Sequence, residues 1–499
     1  MGAASNRPLT SLEMAVVEAN SVALGVTVDQ LMENAGRAVA EEAMRRLPSP
    51  PASLAVVAGP GNNGGDATCA AFYLHQWGYV PEVWLLRAPV EIASRAARRC
   101  FDRVERIATV HIGVPKPDDL SRHALILDGL LGTGQGGRLR SPVREAVDAI
   151  TASGVPTLAI DVPTGISDPT GLRPKWTVTL TVAKEEMTAE NSGEIVVRDI
   201  GIPPEAWHRT GPGEFLFLPR AVRTADGRRT GRVVVIGGGP YSGAPALAAM
   251  AALRAGAERA TVVAPGGSAD RVQGFSPNLV VHAEGSERFR PTDAAEIIEF
   301  VRKSRPQSVV LGMGAGNHPE TVEALREVER GLAESVPMVV DADGLAGLPT
   351  LEEISARGGS EIVATPNVGE YDRYFGGVRG ESPAEQGERA RAIAEARGVV
   401  LLAKGDPDLL SDGIDWFEND HHHPAATVGG AGDVLGGVVG GLLAQGVYAR
   451  HAIRLASWWC GEAGARVAAH KGYGLTATDV IEELPAVMVT ALGHLRPGA

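Results

Sequence analysis

The stretch Val428-Gly429-Gly430-Ala431-Gly432-Asp433-Val434-Leu435-Gly436 places four glycines around one carboxylate, ahead of an apolar run typical of a helix. Backbone N–H groups of such a turn point at one place, and a helix N-terminus adds positive potential there. The stretch therefore predicts a phosphate-binding turn, with Asp433 placed to take a proton from a hydroxyl as that oxygen meets a phosphoryl group. The alternative is a helix cap after a flexible loop, but the glycines cost more chain entropy than a cap justifies.

Short apolar runs alternate with longer helical patterns on both sides of this turn, and Gly, Pro, Asn or Asp follows nearly every run. The runs that predict buried strands are Leu54–Ala58, Leu125–Leu127, Thr157–Ile160, Val233–Ile236, Ala260–Ala264, Ser308–Leu311, Met338–Val340, Ile362–Ala364 and Val399–Ala403. Continuous apolar strands between helices indicate parallel sheets covered on both faces, and hence a doubly wound α/β architecture. Ligands of such folds bind where strands end, and the glycine clusters fall there.

The length of 499 residues predicts at least two domains. A basic, polar segment at Leu218–Arg232 separates two blocks that each begin with a strand and a Gly-rich turn. We therefore expect domains at residues 1–220 and 221–499. The only compositional oddity, His421-His422-His423, is interpreted as a solvent-facing loop, with the alternative that one imidazole faces the neighbouring site.

The charge and cysteine content exclude several classes of protein. A net charge of -13 disfavours general nucleic-acid binding. The three scattered cysteines, without CxxC spacing, predict a reducing compartment and neither a disulfide framework nor a zinc site. The start of the chain has no secretory pattern, and the run Val434–Val447 is too short and interrupted to span a membrane. We expect a cytoplasmic protein without a membrane partner.

The first block has a Gly-rich turn, Gly59-Pro60-Gly61-Asn62-Asn63-Gly64-Gly65-Asp66, directly after its first strand. The turn satisfies G-x-G-x-x-G, but a dehydrogenase is disfavoured because Glu82 opens the second strand instead of ending it. Asn62, Asn63 and Asp66 offer oxygens that suit a hard cation. Asp128-Gly129…Gly132-Thr133-Gly134 and Asp161-Val162-Pro163-Thr164-Gly165 follow two further strands, and each Asp alone could be a turn residue. Three oxygen-rich strand ends in one sheet predict a shared crevice.

These motifs, with Leu31-Met32-Glu33-Asn34-Ala35-Gly36-Arg37, resemble the NAD(P)H-hydrate epimerase domain, a Rossmann-like fold. The resemblance implies a potassium ion held by Asn63, Asp128 and Thr164, and Asp161 as the acid/base at the epimerised carbon. It implies substrate contacts from Asn62, Asn63, Gly64, Gly65, Asp66, Gly132, Thr133, Gly134, Gln135, Gly136, Gly137 and Arg138. This chain departs from the family at Ala67, where Gly is usual, at Thr164, where Ser is usual, and in the shorter segment Ala183–Glu190.

The second block adds further polar or Gly-rich strand ends, each of which alone could be a structural turn. They are Gly237–Pro245, Gly312–Asn317, Asp341-Ala342-Asp343, Thr365-Pro366-Asn367…Gly369-Glu370 and Lys404-Gly405-Asp406-Pro407-Asp408. Together with Gly429–Asp433 they predict a Gly-lined nucleotide site with one lysine and one catalytic carboxylate.

This set, with Ser242–Pro245, Ser276-Pro277-Asn278 and Gly472–Ala477, resembles the nucleotide-dependent NAD(P)H-hydrate dehydratase domain of the ribokinase-like superfamily. The resemblance implies ADP or ATP with Mg²⁺, bound by Lys404, Gly405, Asp406, Pro407, Asp408 and Gly432. It implies contacts to the hydrated dinucleotide from Ala244, Gly314, Asn367 and Asp433. Asn367-Val368 stands where His-Pro is commoner, and His422–Ala426 departs from the commoner Gly-Asn-Pro-Gly.

The two resemblances cover the whole chain and predict a bifunctional repair enzyme for hydrated NADH and NADPH, with a homo-oligomeric assembly. The rivals are a ribokinase-like small-molecule kinase, which would keep its phosphoester product, and a non-catalytic N-terminal interaction domain. A dehydrogenase ranks last because no hydride-transfer constellation is visible.

Overall fold

The computed structural model describes residues 7–133, 137–219, 230–285, 287–348, 361–376 and 382–495. The chain divides into two compact units, Met1–Ala206 and Trp207–Ala499. The expected domain boundary at residues 220 and 221, and most of the segment expected as a linker, lie outside the described residues. Each unit is described by itself below.

The described part of the N-terminal unit contains one parallel sheet. Its strands are β1 Ser53–Ala58, β2 Val80–Leu85, β3 Thr109–Ile112, β4 Ile126–Gly129, β5 Thr157–Ile160, β6 Trp176–Leu180 and β7 Glu194–Arg198. They are ordered β3-β2-β1-β4-β5-β6-β7, and every pair is parallel. The order reverses between β1 and β4, which is where a doubly wound sheet opens a ligand crevice at its carboxyl ends.

Helices cover this sheet and bury its apolar strands. The α-helices are Ser11–Ala23, Val28–Met44, Asn62–Gln76, Arg95–Val104, Pro117–Leu120, Val143–Ser153, Ala189–Ser192 and, at the division, Glu205–His208, and Pro89–Glu91 is a 3₁₀ turn. One core cluster joins strand residues such as Val57 and Ile126 to the helix residues Val147 and Ile150. Burial of these side chains stabilises the sheet edge that carries the strand ends.

The sheet of the C-terminal unit is mainly parallel. Its strands are β8 Arg232–Ile236, β9 Arg259–Pro265, β10 Val280–Glu284, β11 Ser308–Leu311, β12 Met338–Val340, β13 Ile362–Ala364, β14 Val400–Ala403, β15 Asp408–Ser411 and β16 Trp416–Asn419. They are ordered β10-β9-β8-β11-β12-β13-β14-β15-β16. Among the described strands, β15 pairs in antiparallel fashion with both β14 and β16, and the other pairs are parallel. The sequence did not predict the two added edge strands β15 and β16.

Helices also flank the second sheet. The α-helices are Gly243–Arg254, Gly266–Gly274, Ala294–Ser304, Pro319–Leu332, Val368–Phe375, Pro383–Arg397, Ala431–Ala444, Ala449–Lys471 and Ala477–Leu495, and the 3₁₀ turns are Pro212–Phe217, Pro291–Asp293, Ala342–Gly347, Pro424–Ala426 and Gly472–Gly474. Helix Ala431–Ala444 packs closely on helix Gly243–Arg254, since a Cβ on Gly437 would lie 2.1 Å from the carbonyl oxygen of Ala248. Some glycines of this helix therefore serve packing.

Both units have doubly wound α/β architecture, which confirms the fold class predicted from the alternation of apolar runs and helical patterns. Thr157–Ile160, Ser308–Leu311, Met338–Val340 and Ile362–Ala364 form strands with the predicted bounds. Within the described residues, no helix combines the length and apolar character needed to cross a membrane.

Candidate active sites

The Gly-rich turn of the N-terminal unit links β1 to helix Asn62–Gln76, with Gly61 at the helix N-cap. A Cβ on Gly59 would lie 2.0 Å from the carbonyl oxygen of Leu130, and one on Gly64 would lie 1.9 Å from that of Gly59. Only glycine fits at these two positions, because any side chain would collide with backbone. The close approach joins the first turn of the helix to the loop after β4, as the shared crevice requires.

Asp128 ends β4 and is fully buried. The hydroxyl of Thr164 donates to Asp128 Oδ1 at 2.7 Å, and the Thr164 amide donates to Oδ2 at 3.0 Å. Burial raises the pKa of Asp128 to about 6, and the hydrogen bonds from Thr164 oppose this rise. The structure thus brings together two of the three groups expected to hold potassium.

Asn63, the third group, lies against the same loop. Its Nδ2 donates to the carbonyl oxygen of Leu131 at 2.8 Å, while its Oδ1 is buried and accepts no hydrogen bond from the described residues. A buried carbonyl-type oxygen without a donor is costly, and a hard cation is one ligand that satisfies it. The amide oxygen, carboxylate and hydroxyl of these residues fit a potassium ion.

Asp161 follows β5 and has a φ of 64°, a conformation that costs energy in a residue with a side chain. The Nζ of Lys184 pairs with its carboxylate. The same ammonium donates to Thr179 Oγ1 at 3.0 Å and to the carbonyl oxygen of Leu180 at 2.9 Å. Since the Lys184 side chain is fully buried, a positive charge is fixed beside the expected acid/base.

The charge of Asp161 acts on two further carboxyl groups. Burial, and then the charge of Asp161, raise the pKa of Glu18 to about 7, and Lys184 opposes the rise. Burial, and then the charges of Asp161 and Glu18, hold the pKa of Asp66 well above its usual range. Carboxyl groups whose pKa values are raised by burial and by a neighbouring carboxylate keep their protons to a higher pH than ordinary acids, which suits acid–base chemistry.

Lys184 and Glu18 were not predicted as site residues. Lys184 belongs to the segment Ala183–Glu190, where the chain is shorter than the family it resembles. The preceding strand β6 has polar threonines and therefore lacks the continuous apolar run that marked the predicted strands. Glu18 lies on helix Ser11–Ala23, where one acidic residue in an amphipathic pattern indicates a solvated face. Of the expected substrate loop, Gly132, Thr133, Gly137 and Arg138 are described, and the backbone amide of the following Leu139 donates to Asp168 Oδ2 at 2.7 Å. Gly134, Gln135 and Gly136 lie outside the described residues.

In the C-terminal unit, helix Ala431–Ala444 begins directly after Gly430, whose φ of 91° a side chain would strain. A Cβ on Gly432 would lie 3.0 Å from Lys404 Nζ. The glycine turn and the lysine predicted to bind nucleotide are therefore neighbours. Asp433 lies in the first helical turn, at the positive end of the helix dipole.

Lys404 follows β14 and pairs with Asp341, which follows β12. Its Nζ donates to both carboxylate oxygens, at 2.8 and 3.0 Å. The amide of Ala342 also donates to Asp341 Oδ1 at 2.8 Å, with Ala342 at a φ of 49°. Asp341 stood in a predicted motif, but the sequence did not indicate this pairing.

The carboxyl of Asp433 is largely buried beside this pair. Burial, and then the charge of Asp341, raise its pKa to about 7; Lys404 lowers it and Glu370 raises it. A carboxylate with a pKa near neutral is a stronger base than an ordinary aspartate and is still ionised in half the molecules. This environment suits the predicted proton abstraction.

The groups expected to contact the hydrated dinucleotide are only partly brought together. A Cβ on Gly314 would lie 3.0 Å from the Ala244 Cβ and 2.3 Å from the carbonyl oxygen of Tyr241, so these elements meet. Asn367 caps helix Val368–Phe375. Its side-chain Oδ1 accepts a hydrogen bond from the backbone N–H of Glu370 at 3.0 Å, and its backbone N–H donates to Glu370 Oε2 at 2.8 Å. The cap explains the position of Asn367 without a ligand.

The segment Lys404–Asp408 is shaped by Asp408. Its Oδ1 accepts from the Gly405 amide at 2.9 Å, and its Oδ2 accepts from the hydroxyl of Ser457 at 2.7 Å. In the histidine run, His422 Nε2 lies 3.4 Å from Asp406 Oδ1, and His421 Nε2 lies 2.6 Å from Glu462 Oε2. One imidazole of the run thus contacts the segment expected to bind nucleotide, and Pro407 follows a cis peptide bond there.

Comparison with known proteins assigns a family to each unit. A family model described as NAD(P)H-hydrate dehydratase matches residues 233–486, and one described as YjeF-related protein N-terminus matches residues 28–186. The bifunctional NAD(P)H-hydrate repair enzyme of Pyrobaculum aerophilum is 37% identical over 498 residues, covering 96% of this chain and 98% of the relative. The enzyme of the same name from Hyperthermus butylicus is 36% identical over 504 residues, covering 97% and 92%.

Solved structures also resemble the chain. An ADP/ATP-dependent NAD(P)H-hydrate dehydratase from Bacillus subtilis, co-crystallized with ATP/Mg²⁺, is 20% identical, covers 56% of this chain and 97% of its own, and has a TM-score of 0.48.

Proposed function

The chain belongs to the family of bifunctional NAD(P)H-hydrate repair enzymes, and from this premise we propose how each unit contributes to repair. Its function is to return hydrated NADH and NADPH to the usable cofactors. We assign epimerisation of the R and S hydrates to an N-terminal domain of residues 1–220, and nucleotide-dependent dehydration of the S form to residues 221–499. The observation that supports this best is the pairing of a raised-pKa carboxyl, Asp433, with a glycine turn at a helix N-terminus.

Dehydration needs a better leaving group than hydroxide. In our proposal, Asp433 takes the proton of the C6 hydroxyl while that oxygen forms a bond to a phosphoryl group of ADP or ATP, whose bridging P–O bond breaks. The amides of Gly429–Gly432 stabilise the charge on the transferred group. The ring nitrogen lone pair then expels phosphate, and loss of a proton from C5 gives NAD(P)H.

The nucleotide side of this site is formed by Lys404 and the segment that follows it. Asp341 holds the Lys404 ammonium next to Gly432 of the glycine turn. The ammonium is therefore already in position when the phosphate of the nucleotide binds. Gly405 and Asp408 shape the loop that, in this proposal, receives the nucleotide with its Mg²⁺. Ala244 and Gly314 supply a close-packed wall for the hydrated dinucleotide.

Epimerisation at C6 requires a proton donor for the departing hydroxyl and a base for the water that returns on the opposite face of the ring. We assign this acid–base role to Asp161, with Lys184 holding its carboxylate. The C6–O bond breaks as the ring nitrogen lone pair forms a C=N bond. When water adds to C6, a new C6–O bond forms and the electrons of the C=N bond return to the nitrogen. The neighbouring Glu18 and Asp66, whose pKa values are raised, can supply and receive the transferred proton.

Asn63, Asp128 and Thr164 would hold a potassium ion in this unit. Bound there, the ion supplies positive charge at the ends of β4 and β5, and the unpartnered Oδ1 of Asn63 supports the assignment. We further propose a homo-oligomer acting in the cytoplasm. The exposed apolar side chains Leu12 and Leu24 on and after the first helix support assembly, and the scattered cysteines support a reducing compartment.

The test is Asp433→Asn in the full-length protein, assayed with separate R and S hydrates and with ADP or ATP. We expect loss of dehydration and retention of epimerisation, while exposed Asp270→Asn, the matched control, keeps both. Free phosphate and rising NADH absorbance should appear together in the wild type. A stable phosphoester product would instead indicate a kinase, and an active Asp433→Asn dehydratase would refute the role of Asp433.

A further inference from the structure

Two buried thiols lie next to each other in the N-terminal unit. Cys69 is on helix Asn62–Gln76 and Cys100 is on helix Arg95–Val104, and both are free. Their sulfur atoms and a carboxylate oxygen of Glu33 lie within 4.8 Å of one another. A Cβ on Gly36 would lie 2.5 Å from the Cys69 sulfur, so this glycine makes room for that thiol.

Arg103 contacts both sulfur atoms. Its Nη2 lies 3.5 Å from Cys69 Sγ and 3.4 Å from Cys100 Sγ, and its guanidinium donates to the Glu33 carboxylate at 2.8 and 3.0 Å. Hydrogen bonds from Cys69 and Arg103 lower the pKa of Cys100, whereas donation to Cys100 and burial raise the pKa of Cys69. The Cys100 thiol therefore loses its proton more readily than the Cys69 thiol.

A cavity of about 480 Å³ opens beside the pair and is lined by Met32, Glu33, Arg99, Cys100 and Arg103, among others. A small oxidant in this cavity would meet Cys100 first. Reactive thiols typically have a cationic side chain beside the sulfur atom, as Arg103 lies beside Cys100, whereas structural buried thiols lie in apolar surroundings.

A metal ion held by Glu33, Cys69 and Cys100 is the competing interpretation of the cluster. The guanidinium of Arg103 already donates to all three ligand groups, so a cation would have to displace a fixed positive charge. The geometry therefore favours chemistry between the two sulfur atoms over metal binding.

We propose that Cys69 and Cys100 form an oxidisable dithiol, which a hydroperoxide closes to a disulfide and an external dithiol reopens. The Cys100 thiolate attacks the peroxide, so that an S–O bond forms, the O–O bond breaks and water leaves after protonation. Cys69 then attacks the sulfenic sulfur, giving up its proton as the S–S bond forms and a second water leaves. Two thiols lose two electrons and hydrogen peroxide gains them.

The experiment treats the reduced full-length protein with hydrogen peroxide, blocks the remaining thiols under denaturing conditions and maps the peptides by mass. We expect a linked Cys69–Cys100 peptide lighter by two hydrogen atoms, a Cys460 that is still labelled, and full reversal by dithiothreitol. The matched control Cys460→Ser should form the same link, and Cys100→Ser should leave Cys69 as a thiol. Two unlinked thiols or two separate sulfinic acids in the wild type would overturn the proposal. The proposal would also be overturned if zinc stayed bound to the protein and protected both thiols from oxidation.

Closure should also reach the first turn of helix Asn62–Gln76, which carries Asn63 and Asp66. We expect the oxidised protein to epimerise more slowly at unchanged dehydratase rate; this expectation rests on the proposed epimerase function, whereas the mass measurement does not. An oxidised, linked protein with an unchanged epimerase rate would contradict the coupling alone.

Discussion

Lys404 donates from a single ammonium group to both carboxylate oxygens of Asp341, at 2.8 and 3.0 Å. Both residues act on Asp433, whose pKa Asp341 raises and Lys404 lowers. The pair therefore does more than fix a lysine near the glycine turn, because it also sets the fraction of Asp433 that is ionised near neutral pH.

The dehydratase rate should follow the ionisation of Asp433. In the wild type we expect kcat/KM for dehydration to rise through about pH 7, since only the carboxylate can accept the proton. Asp341→Asn removes the negative charge that raises this pKa and leaves the Lys404 charge uncompensated. Its profile should therefore shift to lower pH by about one unit. Exposed Asp270→Asn should not move the profile, and a shift of Asp341→Asn to higher pH would contradict the electrostatic argument.

Asp433 should also weaken the fold above neutral pH. Its pKa rises from 3.8, the ordinary value that we take for the unfolded chain, to about 7 in the folded state. Between these values the unfolded state loses the proton first, so stability falls as the pH rises and the penalty is complete above pH 7. Each pKa unit corresponds to about 1.4 kcal/mol, and partial solvent access reduces the total to roughly 2 kcal/mol.

Asp433→Asn should therefore raise the free energy of unfolding at pH 8 by roughly 2 kcal/mol and have little effect near pH 4. Thermal unfolding of both proteins without ligands, at the two pH values, measures the difference. A variant that is equally or less stable than the wild type at pH 8 would show that the carboxyl is not desolvated as the structure indicates.

The sequence predicted the strand ends that carry the site more reliably than the side chains that complete it. Glycines such as Gly59 and Gly64 can be predicted from the motif because contact with backbone atoms tolerates no other residue there, and buried parallel strands are continuous apolar runs. The hairpin of β15 and β16 was missed because Asp408–Ser411 has only two apolar residues, although Asp412-Gly413 after it is a turn signal.

Charge partners were harder to predict, because they come from distant parts of the chain. Lys184 and Asp161 are 23 positions apart, and Asp341 and Lys404 are 63 apart. No local pattern links such positions, and only the order of the strands in each sheet brings them together. Glu18 escaped prediction for the same reason, since its helix precedes the sheet altogether.

The unpartnered oxygen of Asn63 makes potassium dependence testable. Asn63→Ala removes the Oδ1 atom, and Thr164→Val removes a hydroxyl, so both should lose the stimulation of epimerisation by potassium over choline. Thr164→Ser keeps the hydroxyl and should retain the stimulation. Asn278→Ala, an exposed asparagine of the other unit, serves as the control. Equal epimerase rates of the wild type in potassium and choline would contradict the assigned site.

The buried Lys184 should be required for epimerisation and for the stability of its unit. Lys184→Met keeps the length and apolar stem but leaves Asp161 without its counter-charge, and Thr179 and Leu180 lose a donor. Removing one partner of a buried pair costs about 3–5 kcal/mol, so we expect a lower unfolding temperature as well as loss of epimerisation. Exposed Lys175→Met, which loses only a contact over the Trp176 ring at 4.6 Å, should behave nearly as the wild type in both respects.

The double variant Asp161→Asn, Lys184→Met removes the unpaired buried charge and should regain stability without regaining epimerisation. Dehydration of the S form should persist in every variant, because Asp433 and Lys404 are untouched. Epimerisation at the wild-type rate by Lys184→Met would show that Asp161 works without its partner and would refute this account of the site.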